Sequence, residues 1–136
     1  MLVTGKRLKA KLSLDEQVLN ITTTKGVPLE QVSCYKALGV LFDENLSFND
    51  HTDELCKKLI KRIGLLNSIK HNLPMRERIQ FYNAIIKPLF MYGGLVWSMT
   101  SQENLGRLFG LQKRVARVIL NTKLREERTI TLFNKL

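Results

Sequence analysis

Cysteine is scarce in this chain: Cys34 and Cys56 are the only two among 136 residues, and neither sits in a C-x-x-C pair. That excludes a disulfide-built scaffold and makes a reduced, intracellular setting, nuclear or cytoplasmic, the expectation. The gaps separating Cys34, His51, Cys56 and His71 match none of the short paired spacings that hold ligands on one knuckle, so no metal site is expected. No apolar run is long enough to span a bilayer, and Met1 to Arg7 lacks the apolar core of a secretory signal, which argues against a membrane partner. Acids are the other shortage, with 12 against 22 Lys and Arg for a net charge of +10.

What is present is unevenly placed. Residues 55 to 125 hold fourteen Lys and Arg but only two acids, Glu77 and Glu103, so the basic excess belongs to one part of the chain. Within that part the apolar residues recur at helical spacing. Helices with a buried stripe and a cationic outer face suit a partner lined with phosphates, and nucleic acid is the expected one.

The residues preceding that region read as short strands. Leu2 to Thr4 looks like a strand remnant, and Val18 to Thr23 with Val27 to Cys34 form an expected hairpin around Lys25-Gly26. Tyr35 to Asp43 reads as one extended segment that places Leu38, Val40 and Phe42 on a single face, with Gly39 allowing close approach.

Ser47 or Asn49 is expected to cap a helix, with Asp50, Asp53 and Glu54 at its positive end. Leu55, Leu59, Ile63, Leu66 and Ile69 give that helix an apolar face; Lys57 and Lys61 point away from it, flanked by Lys58 and Arg62. A second helix begins near Met75 and is kinked or divided by Pro88 near Lys87. A third, from about Ser101 to Leu120, groups Lys113, Arg114 and Arg117 with Gly106 and Gly110 on its outer side, leaving room for a backbone phosphate. Ile130, Leu132, Phe133 and Leu136 begin a further apolar pattern. The fold class is therefore α+β: a small antiparallel hairpin or sheet over residues 1–46, then an α-helical bundle over 47–136.

Paired carboxylates, Ser/His/Asp or Cys/His sets and phosphate-cradling glycine loops are not persuasive anywhere, so no catalytic residue and no cofactor is named. His51 and His71 read as surface or capping residues, and Tyr92 and Trp97 as packing anchors rather than stacking platforms.

Three motifs in order carry a resemblance. They are Tyr35-Lys36-Ala37-Leu38-Gly39-Val40-Leu41-Phe42-Asp43 with Asn45-Leu46-Ser47-Phe48 and His51; Tyr82 with Ile86-Lys87-Pro88 and Tyr92-Gly93-Gly94-Leu95-Val96-Trp97; and Leu111-Gln112-Lys113-Arg114-Val115-Ala116-Arg117-Val118-Ile119. Together they resemble the end of the reverse transcriptase domain of non-LTR, jockey-like retrotransposons, although Ala37 and Phe48 stand where that pattern has other aromatics. The resemblance implies the last palm strands, a primer-grip hairpin near Leu38-Gly39-Val40, and a helical thumb that closes on template–primer duplex through its backbone. It also implies that the metal-binding aspartates of the parent RNA-directed DNA polymerase lie elsewhere, since Asp15, Asp43, Asp50 and Asp53 include no adjacent pair.

The expected nucleic-acid contacts are therefore Leu38, Gly39 and Val40 on the grip and Lys57, Lys58, Lys61, Arg62, Lys113, Arg114 and Arg117 on the thumb. The partner would be RNA–DNA hybrid or another duplex, bound without regard to sequence, together with the missing palm and fingers, toward which Phe42 and Leu46 would turn. Two alternatives stand beside this transposable-element fragment: a repurposed basic nucleic-acid-binding module, and a helical scaffold for a protein partner.

Overall fold

In the computed structural model the described residues are 21–28 and 30–121. The expected strand at Leu2 to Thr4, the first three residues of the Val18 to Thr23 strand and the apolar pattern from Ile130 to Leu136 lie outside them. The expected hairpin around Lys25-Gly26 is reduced to one bridge, Thr22 with Pro28, closed by a turn in which Gly26 takes φ 75°.

The sheet sits further along. Strand β1 (Cys34–Ala37) pairs antiparallel with β2 (Val40–Asp43), Ala37 opposite Val40 and Cys34 opposite Asp43. Tyr35 to Asp43 is thus folded back on itself rather than extended, and Leu38 does not share a face with Val40 and Phe42. The two connecting residues, Leu38 at φ 47° and Gly39 at φ 80°, adopt the doubly positive φ of a type I′ turn, whose twist matches that of the flanking strands. Leucine rarely tolerates this region, which is why a Leu-Gly pair does not announce a turn in sequence as Asn-Gly does.

Helix α1 (Asn49–Ile69) follows a corner held by Asp43. Its carboxylate accepts from Asn45 N (3.0 Å), Ser47 N (3.0 Å), Ser47 Oγ (3.0 Å) and Phe48 N (2.8 Å). Neither Ser47 nor Asn49 is the N-cap. That position falls to Phe48, left-handed at φ 56° with no side-chain cap bond, and its ring is buried edge-on to Phe42 at 5.7 Å. Four bonds to one carboxylate together with an aromatic burial offset a backbone that phenylalanine alone would avoid. Phe42 therefore packs inward, while Leu46 stays exposed.

A short 3-10 turn (Lys70–Asn72) leads to α2 (Met75–Phe81), a π-helical segment (Tyr82–Ile86) and α3 (Lys87–Met91), with Pro88 in the first turn of α3. Proline has no N–H to return to the carbonyl four residues back, and the ladder widens ahead of it, which is the expected break in the second helix. Gly93 at φ 65° opens α4 (Gly94–Trp97), and Ser101 caps α5 (Gln102–Leu120) by accepting from Asn104 N at 3.3 Å.

The core lies where α1 packs along α5. Leu59, Ile63 and Leu66 of α1 meet Leu108, Val115 and Ile119 of α5, and Ile86 closes the far side. Each such side chain contributes roughly 1.5–3 kcal/mol by leaving water. The two helices run in the same direction. Their starts are joined by Asn104 Nδ2 donating to Asn49 Oδ1 (2.7 Å) and by Thr100 Oγ1 donating to Ser47 O (2.9 Å). Beyond their C-terminal ends one guanidinium, Arg78, donates to Leu73 O (2.8 Å) and to Ile119 O (2.7 Å).

Candidate nucleic-acid interface

On α1, Lys57, Lys58, Lys61 and Arg62 are all exposed and lie mid-helix, with no basic residue in the last turn. Their position therefore does nothing for the negative helix terminus. Lys58 pairs with Glu54 at 3.3 Å and Lys36 reaches the same carboxylate at 3.7 Å, so one acid is shared by two cations. The Lys58 hydrogen bond first, then the Lys36 charge, hold the Glu54 carboxyl below its usual range.

On α5, Arg114 is exposed and Lys113 and Arg117 are half-buried; the Lys113 ammonium lies 4.3 Å over the Phe109 ring. Gly106 and Gly110 border them, and a Cβ at either would touch nothing. Arg117 occupies the last turn, where the helix terminus alone accounts for a cation. Among the described residues no carboxylate pairs with Lys57, Lys61, Arg62, Lys113, Arg114 or Arg117, whereas Arg107 is taken by Asp53 at 2.7 Å.

Leu38, Gly39 and Val40 come together as the hairpin tip and divide by burial: Leu38 is 90% exposed and Val40 is in the core. Tyr92 and Trp97, read from the sequence as packing anchors, fix this tip. The Tyr92 hydroxyl donates to Leu38 O, and Trp97 Nε1 donates to Tyr92 O at 2.8 Å. A Cβ on Gly93 would come within 2.9 Å of the Val40 side chain, so only glycine admits the strand there.

His51 reads from the sequence as a surface or capping residue; it is instead 6% exposed, and Phe48 is the N-cap of its helix. Its Nδ1 accepts from Leu41 N at 3.4 Å, its ring lies 6.3 Å from that of Trp97, and its Nε2 has no partner among the described residues. Burial, reinforced by Lys58, depresses its pKa below 6.5. The signal available in sequence was only its place at i+3 from Phe48 on the inward side of α1; that β2 would lie against it is a long-range fact. Cys56 is likewise buried, which raises its thiol pKa and leaves it inert.

Among the described residues no group of three or more His, Cys, Asp or Glu is placed to hold a metal ion, and no helix is long and apolar enough to cross a membrane. A hairpin packed against α1 and the Tyr92–Trp97 segment, beside helices whose exposed cations are mostly without a carboxylate partner among the described residues, defines an α+β unit.

Comparison with known proteins supplies the family. Over 97 residues, 68% of this chain, the sequence is 32% identical to the probable RNA-directed DNA polymerase from transposon X-element of Drosophila melanogaster. It is 30% identical over 98 residues (70% of the chain) to that from transposon BS of the same species, and 27% identical over 100 residues (71%) to the RNA-directed DNA polymerase from mobile element jockey of Drosophila funebris. The chain belongs to the family of RNA-directed DNA polymerases of jockey-like, non-LTR mobile elements, and it spans 11% of the length of these relatives. No family model and no solved structure matches it.

Proposed function

We propose that this chain is the primer-grip and thumb segment of a retrotransposon reverse transcriptase, dividing into palm-edge strands up to residue 46 and a thumb-like bundle from 47. It holds template–primer duplex, RNA–DNA hybrid foremost, by its phosphates inside the cell, while nucleotide addition belongs to the palm of the longer polymerase. One observation carries this reading: two parallel helices show cations mid-helix for which, among the described residues, neither an acid nor a helix terminus accounts. Phosphate contact explains them, and it is sequence-tolerant.

The test is duplex affinity against salt. Replacing Lys113, Arg114 and Arg117 together with Ser should weaken binding to every duplex alike and reduce the slope of log K against log salt by about 2–3, roughly one per phosphate contact. A flat salt dependence for the unaltered chain would refute the reading and favour the protein-scaffold alternative.

A further inference from the structure

Beside the hairpin tip, Asn83, Lys87, Pro88, Met91 and Tyr92 line an open groove of about 600 Å³. Tyr92 is 57% exposed, yet it is tied on every side. Its hydroxyl is bonded to Leu38 O, its N–H to Pro88 O at 2.9 Å, and its carbonyl accepts the Trp97 indole N–H at 2.8 Å. Its ring edge abuts Gly39, where a Cβ would sit 3.3 Å from Cε1. A surface tyrosine ordinarily keeps its rotamer freedom and loses it on binding; this one has already lost it, so a planar ligand meets a ring fixed in place.

The rest of the lining supplies the polar half of the same recognition. Lys87 is exposed and, among the described residues, forms no ion pair; none of the described residues that line the groove is acidic; Asn83 offers an amide that can both donate and accept. A fixed aromatic, an unpaired cation and an amide around one opening match a base, its phosphate and its edge. We infer that this groove is a nucleotide subsite that takes one unpaired nucleotide of the nucleic acid held at the hairpin tip, its base on Tyr92 and its phosphate on Lys87. The inference rests on the duplex-binding reading for its partner but concerns a contact separate from the α1 and α5 cations.

The experiment measures binding of the full chain to a short RNA–DNA hybrid, blunt or carrying one unpaired nucleotide. The unpaired nucleotide should tighten binding about tenfold, the scale of one base on one aromatic. Tyr92→Leu and Lys87→Ser should each erase that gain, and Tyr92→Phe, which keeps the ring but loses the tie to Leu38 O, should retain only part of it. Lys87→Ser, at an exposed position, should leave the Trp97 emission unchanged, so that its loss of the gain, read as the ratio of tailed to blunt affinity within the same variant, is not a loss of fold. Equal affinity for the two hybrids, or a gain that survives Tyr92→Leu, would overturn the subsite. The blunt hybrid reads the duplex proposal by itself: binding of the tailed hybrid where the blunt one fails would support the groove without the thumb face, and failure of both would remove both.

Discussion

The two ends of the α1–α5 pair are built on different terms. At the start of the helices polar groups are spent on one another: Asn49 with Asn104, Thr100 with Ser47, Asp53 with Arg107, Glu54 with Lys58 and Lys36. Farther along, Lys61, Arg62, Lys113 and Arg114 project with no carboxylate partner among the described residues. Acids at the first turns are accounted for by the positive helix ends. Lys61, Arg62 and Arg114 lie away from those ends, where neither helix terminus calls for a cation. The contrast separates residues that hold the protein together from residues free to hold something else, and perturbing each end should show it.

The largest loss should come from the corner that leads into α1. Asp43→Ala strips the acceptor from four donors, and urea unfolding should show a loss of about 2–3 kcal/mol, in the range for hydrogen bonds to a charged group. Burial alone would raise the Asp43 pKa, but the bonds from Ser47, Phe48 and Asn45 together outweigh it and the net shift is downward from 3.8. Its contribution is therefore present above pH 3.8 and lost as pH falls through the lowered folded value. Next, Asn104→Ala leaves Asn49 and Thr100 without their shared partner at the buried junction, and should cost about 1–2 kcal/mol in the same measurement.

His51 gives a smaller effect with a sign of its own. Its folded pKa lies below 6.5, so the unfolded chain binds the proton first as pH drops. Stability should be full above about pH 6.5 and decline as pH falls from there through the folded value; His51→Asn, which keeps an acceptor near Leu41 N, should flatten the decline. A thermal midpoint with the same pH profile in both proteins would contradict the neutral, buried imidazole. Smallest of all is Asp53→Ala, since both partners of the Asp53–Arg107 pair are about half exposed: no more than about 1 kcal/mol by chemical denaturation.

The helical half was largely legible because its signal is local. Leu55, Leu59, Ile63 and Leu66 repeat at three and four residues and are the buried face of α1; Leu108, Val115, Val118 and Ile119 do the same for α5. The outward cations follow from the same periodicity, and Pro88 marks the broken helix by its missing donor. The hairpin, which the family resemblance implied at Leu38-Gly39-Val40, escaped the periodicity for a local reason, and His51 escaped it for a distant one. Alternating apolar residues from Leu38 to Phe42 predict a strand whether or not the chain reverses within them, and only the unusual φ of Leu38 turns it back. Nothing near His51 in sequence states that β2 and Trp97 will lie against it. Tyr92 was legible as an anchor but not what it anchors, because its partners, Leu38 and Gly39, are more than fifty residues away.

Parallel packing has an electrostatic consequence. Two helices aligned head to head also lie tail to tail, and the partial negative charges of their free carbonyls accumulate in one place. Arg78, which belongs to neither helix, donates to Ile119 O in the last turn of α5 and to Leu73 O past the 3-10 turn that follows α1, and so sets one positive charge against the tail of α5. The end of α5 thus meets a counterion that a third element supplies and the chain itself holds in place.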